Sequence, residues 1–183
     1  MNGADILIAG CGDVGGALAE RLRDAGHRVA GLRRRAGLLP AGIEPLAADL
    51  GEPATLAALR ERHFDIVVVT SAAGRFDEDH YRRVYVEGLA NLLGVLRGEP
   101  HVLLASSTAV YHQCHGEWVD EDSPTEPHGF SGRILLQAEA LLRERAAHRA
   151  TVLRFGGIYG PGRERLLRSL AFTPTGAQLR VSA

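Results

Sequence analysis

An α/β fold built on a doubly wound parallel sheet is predicted from two observations. Short apolar runs alternate with amphipathic helical stretches along most of the chain, and a cluster of glycines closes the first run where the first helix opens. Such alternation implies right-handed βαβ crossovers and strands covered on both faces, with ligands held beyond the carboxyl ends of the strands.

The elements follow in order. Residues 5–9 (DILIA) form an apolar run stopped by glycine, as a buried parallel strand should be. Val14, Ala17, Leu18, Leu22 and Ala25 recur at helical spacing, and Gly26 ends that helix. Residues 28–32 read as a second strand, and Asp49-Leu50 close a plausible third. Pro53 opens a helix over 53–62, at the first-turn position where its missing N–H costs nothing. The β-branched run 66–70 (IVVVT) is a strand, 78–96 a long helix and 102–106 another strand. Ile134, Leu135, Ala138, Leu141 and Leu142 share one face of a helix over 131–147, which leads into a strand over 151–155. A further helix is expected over 163–171, and 172–183 shows no periodicity, so the chain divides into a domain over 1–171 and an irregular tail over 172–183.

Composition narrows the function. The formal net charge of −1 gives no reason to expect nucleic acid or an anionic membrane as partner. No apolar run approaches the roughly 20 residues of a membrane helix, and no leader pattern precedes the first strand, so a soluble cytoplasmic protein is expected. All 21 basic residues are arginine, which removes Schiff-base chemistry on lysine and any lysine general base. The two cysteines, Cys11 and Cys114, are expected to be free thiols.

Gly10-Cys11-Gly12-Asp13-Val14-Gly15 is a G-x-G-x-x-G between a strand and a helix, the context that makes this string a dinucleotide-binding, Rossmann-type fingerprint. Gly10 permits the tight turn, Gly12 lets the backbone approach a pyrophosphate, and Gly15 lets the helix pack on the strand. The helix N-terminus with Val14 offers amides to the phosphates, and Asp13 is expected to cap that helix. An NAD site places an acid some 20 residues further on. Arg33-Arg34-Arg35 stand there instead, and a guanidinium grips a 2′-phosphate that an acid would repel, so NADP is favoured, with NAD as the alternative. Asp49 reads equally as a contact to the adenine amino group or as a solvated side chain.

Several strings together resemble the extended short-chain dehydrogenases/reductases, the NAD-dependent epimerase/dehydratase family. They are the glycine turn, Asp49-Leu50, 70–73 (TSAA), 106–111 (SSTAVY), Ala138-Glu139 and 153–162 (LRFGGIYGPG), spread across most of the chain. The resemblance implies cofactor contacts from Ser71, Ala72, Ala73 and Ser106, and a hydrogen bond from Ser107 to the substrate's reacting oxygen. It also implies a homodimer through the two long helices, and a small substrate lobe that would be largely missing here. The family's Tyr-x-x-x-Lys pair falls on Ser131 and Leu135, which cannot supply a phenol or a charge. Its frequent asparagine in the first long helix falls on Tyr85. A subgroup of atypical, YeeZ-like members is similar in its post-strand arginines and in a serine-glycine pair at the tyrosine position.

Two classes of function remain open. One is an NAD(P)-dependent epimerase/dehydratase-like oxidoreductase acting on a small carbonyl or sugar-nucleotide-like substrate, with Ser107 and an unconventional acid such as Tyr111 or His112. The other is a non-catalytic NADP-binding sensor or scaffold. His112-Gln113-Cys114-His115 invites a metal reading, but structural zinc sites prefer two spaced ligand pairs, and a polar loop over the cofactor is expected instead. Tyr159 is expected to pack beside the nicotinamide.

Overall fold

The computed structural model describes residues 3–113 and 115–160. Cys114, the expected helix over 163–171 and the tail over 172–183 lie outside the described residues. In chain order the elements are β1 (Asp5–Ala9), α1 (Asp13–Asp24), β2 (Arg28–Arg33), β3 (Glu44–Ala47), β4 (Ile66–Val69), α2 (Glu78–Tyr81), α3 (Gly88–Val95), β5 (His101–Ser107), α4 (Phe130–Ala146) and β6 (Ala150–Phe155). The strands form one all-parallel sheet in the order β3-β2-β1-β4-β5-β6. The order reverses at β1 and β4, and that switch point opens a crevice above their carboxyl ends.

The apolar runs of the sequence become the two-sided core. In β1, Ile6 and Ile8 face one layer with Ala19 of α1, Val29 and Val68. Leu7 and Ala9 face the other, with Leu89 and Leu92 of α3 and Ala138 and Leu142 of α4. Side chains alternate across a strand, so a strand covered on both sides must be apolar at every position. Leu7, Ile8 and Ala9 are each 0% exposed, and each buried Leu or Ile contributes about 1.5–3 kcal/mol.

Two helices differ from their expected form. Pro53–Glu61 is a 3₁₀ helix. Its buried side chains, Leu56 and Leu59, are three apart, and three residues per turn align that spacing into one stripe. The helix expected over 78–96 is interrupted by a π segment, Arg82–Glu87, between α2 and α3. Just beyond it Gly88 lies against Leu50, where an added Cβ would come within 3.0 Å of the Leu50 Cβ. The hydrophobic period of a helix does not report such a local widening, which recurs at functional sites. Among the described residues no helix is long and apolar enough to cross a membrane.

Candidate functional site

A cleft of about 730 Å³ lies at the carboxyl ends of the strands. Its floor is the turn between β1 and α1. Gly10 has φ +88°, and a Cβ there would sit 2.4 Å from the Ser71 amide nitrogen. At Gly15 a Cβ would meet the Thr70 hydroxyl at 2.5 Å, so α1 lies this close to β4 only because the side chain is absent. Gly12 is different: its nearest neighbour would be the Gly10 carbonyl at 3.7 Å, an ordinary contact. No contact within the protein requires glycine at 12, and an added Cβ there would meet no other atom within 4 Å. Helix α1 has no side-chain cap, and its first-turn amides have no intrahelical partner. The N-cap residue is Gly12, so Asp13 does not cap: it is the first helical residue, exposed on the cleft wall, where its charge suits the positive end of the dipole.

The wall on one side carries Arg33, Arg34, Asp49 and Leu50. Arg33 donates to the Leu38 carbonyl at 3.2 Å, whereas Arg34 is exposed. Asp49 accepts from the Gly51 amide at 2.9 Å. On the other side the wall is built by Ser71, Ala72, Ser106 and Ser107 with Tyr85, Leu135 and Phe155. Of the expected cofactor residues, Gly15 and Ala73 do not line the cleft. Gly15 serves helix–strand contact, and the Ala73 amide donates to the Tyr85 hydroxyl at 3.3 Å. Burial pushes the Tyr85 phenol up, with the Ala73 amide pulling the other way.

Two of the expected site residues are engaged within the protein, and a third group, the Cys11 thiol, is free as expected. Ser106 lines the cleft, and its hydroxyl donates to Glu139 Oε1 at 2.7 Å, so that proton serves a buried carboxylate. Tyr111, a candidate acid, does not line the cleft; its hydroxyl donates to the Asp120 carbonyl and accepts from Arg154, both at 2.8 Å. The Arg154 guanidinium also stacks over the Tyr111 ring, 5.0 Å from its centre. Cys11 is buried, and burial pushes its thiol up, against the nearby Arg33, so it offers no thiolate. His112 lies 6.3 Å, ring centre to ring centre, from His128, and no group of three metal-ligating side chains occurs among the described residues.

Sequence reasoning missed the polar cluster behind the cleft. Glu139 is 0% exposed and takes a forked pair from Arg154 at 3.1 and 2.7 Å, besides the Ser106 hydroxyl and Arg143. Burial would push this carboxyl up, but the Arg154 fork, the Ser106 hydroxyl and Arg143 together outweigh it and hold it below the ordinary glutamate value. The cluster ties α4, β5 and β6 together directly beneath Ser107. A signal was available: position 139 falls inside the stripe 135, 138, 142 and 146 that α4 buries, and a carboxylate on an apolar face demands a partner.

The sheet order, the glycine turn at the switch point and the cleft above it define a Rossmann-type dinucleotide-binding domain. Residues 6–174 match the NAD dependent epimerase/dehydratase family, and the chain belongs to it. The solved structure of a candidate NAD-dependent epimerase/dehydratase from Methylobacillus flagellatus is 49% identical, with a TM-score of 0.79 over 96% of this chain and 62% of that one. MoeE5, solved in complex with UDP-glucose and NAD, is 28% identical, with a TM-score of 0.72 over 87% of this chain and 56% of that one. Protein YeeZ of Escherichia coli K12 is 38% identical over 64 residues, 35% of this chain and 23% of that protein. The chain thus spans less than two thirds of these relatives.

Proposed function

We propose that the cleft holds NADP and that the protein is an NAD(P)-dependent epimerase/dehydratase-like oxidoreductase for a small carbonyl or sugar-nucleotide-like substrate. The observation that carries this reading is Gly12, a glycine the protein's own contacts do not demand, placed where a phosphate approaches the α1 N-terminus. The first-turn amides of α1 would hold the diphosphate, Asp49 and Leu50 would flank the adenine, and Ser71, Ala72 and Leu135 would border the nicotinamide half. Arg34, exposed at the end of β2, would pair with the 2′-phosphate, with Arg33, one of whose N–H groups donates to the Leu38 carbonyl, beside it. When bound, the cofactor supplies or accepts hydride. The Ser107 hydroxyl, which accepts from the Ala109 amide at 3.2 Å, keeps its own proton to donate to a substrate oxygen. MoeE5, with a nicotinamide dinucleotide and a sugar nucleotide together, supports the substrate class.

Calorimetric titration with NADP, NADPH, NAD and NADH tests this reading. Arg34→Asp is expected to weaken NADP about tenfold or more and NAD far less. Equal losses remove the 2′-phosphate assignment, and absence of all binding removes the function. The Ser131 and Leu135 substitutions favour a second reading, a cofactor-binding sensor or scaffold. Tight binding without oxidation of NADPH across a carbonyl panel would select it.

A further inference from the structure

We propose that Tyr85 is the proton donor of the nicotinamide half of the cleft, supplying from the π segment the phenol that α4 lacks at Ser131. The inference rests on the cofactor reading above. Four observations carry it. Tyr85 shares the cleft wall with Ser107 and with Leu135, the helix position where the resemblance places the absent lysine. The π segment Arg82–Glu87 brings Arg83, Val84 and Tyr85 together onto that wall. The Tyr85 oxygen accepts from the Ala73 amide, which anchors it and leaves its own O–H to give, with no acceptor for it among the described residues. Finally, the Tyr85 ring lies 5.2 Å from the Tyr81 ring, and Tyr81 lies 5.4 Å from Phe130, the residue before Ser131. An aromatic contact chain therefore fixes Tyr85 against the end of α4 where a phenol is missing.

The competing phenol is excluded by geometry, since both hydrogen-bonding directions of Tyr111 are used by Arg154 and Asp120. The charged and titratable groups that share the wall with Tyr85 include Arg75, His80, Arg83 and Asp49, with Tyr81 on the preceding turn, and Arg83 is itself paired with Glu52. In carbonyl reduction, the proton on Tyr85 Oη passes to the substrate oxygen as that oxygen's carbon accepts hydride from NADPH. The C=O π pair becomes the new O–H bond, the ketone or aldehyde is reduced to alcohol, NADPH is oxidised to NADP, and the tyrosinate regains a proton from water.

The test reads phenol ionisation by ultraviolet absorbance across alkaline pH, on the full chain alone, with saturating NADP, and with saturating NADPH. The oxidised nicotinamide ring is cationic and the reduced ring is neutral. One phenol is therefore expected to titrate about one pH unit lower with NADP and to stay in place with NADPH. Tyr85→Phe should abolish that response. The chain has four tyrosines, so the triple variant Tyr81→Phe, Tyr111→Phe, Tyr159→Phe leaves Tyr85 alone and should retain it, which also covers the case of a poorly folded Tyr85→Phe. Binding without any shifted phenol, or a shift that survives Tyr85→Phe, overturns this inference and leaves the cofactor reading standing. Failure of both cofactors to bind in calorimetry overturns the two together.

Discussion

At the scale of single residues, the glycines of the first turn divide by what they serve. Gly10 and Gly15 answer to the protein, because a Cβ at either would collide with β4 or the loop after it. Gly12 answers to whatever fills the cleft. Gly10→Ala is expected to cost about 2 kcal/mol or more in urea unfolding, from a strained φ and a backbone clash. Gly12→Ala should change stability by less than about 1 kcal/mol yet weaken NADP at least about tenfold in calorimetry. A Gly12→Ala variant that binds normally would show the turn to be only a turn. Glu139 makes the opposite kind of prediction. Its carboxyl sits below its unfolded value, so its stabilisation is complete above the unfolded pKa of about 4.3 and is lost as pH falls through the lower folded value. Glu139→Gln leaves Arg154 without its buried counter-charge and should cost about 3–5 kcal/mol at pH 7. The variant's urea midpoint should then fall less than the wild type's between pH 5 and pH 3, a window set by that shift (roughly two pH units around the carboxylate range).

At the scale of elements, α4 carries the most consequence. Its N-terminal turn is seated closely, since a Cβ on Gly132 would lie 2.2 Å from the Ala109 carbonyl oxygen, and that contact positions the turn after Ser107. Its C-terminal end is strained: Ala147 has φ +45°, the one described non-glycine residue with positive φ. Glycine, with no Cβ, adopts that positive φ at less cost. Ala147→Gly should therefore stabilise the fold by about 1 kcal/mol, read as a higher urea midpoint with unchanged slope. The π segment shows the limit of pattern reading. Hydrophobic spacing announced a helix over 78–96, and a helix is there, but the widened turns that seat Tyr85 on the cleft leave no trace in that spacing. The same limit applies to Pro53–Glu61, where proline marked the start correctly and only the fit of Leu56 and Leu59 to the core selected the tighter winding.

At the scale of the whole molecule, the homodimer implied by the resemblance is proposed to form through the helical stretch 78–96 and the helix over 131–147, and light scattering at high protein concentration should return twice the chain mass; a monomer refutes it. The strand alternation, the glycine turn and the arginines after β2 were all readable without coordinates, because backbone hydrogen bonding and two-sided burial impose short-range periods that any sequence of this fold must carry. So was the absence of lysine, which removed the family's usual proton relay. What only the tertiary structure decided were partnerships between side chains far apart in the chain. Ser106 meets Glu139 across 33 positions and Arg154 meets Tyr111 across 43. Hydrogen bonds and ion pairs of this kind depend on which strand lies beside which helix and at what register, and no local period encodes that choice.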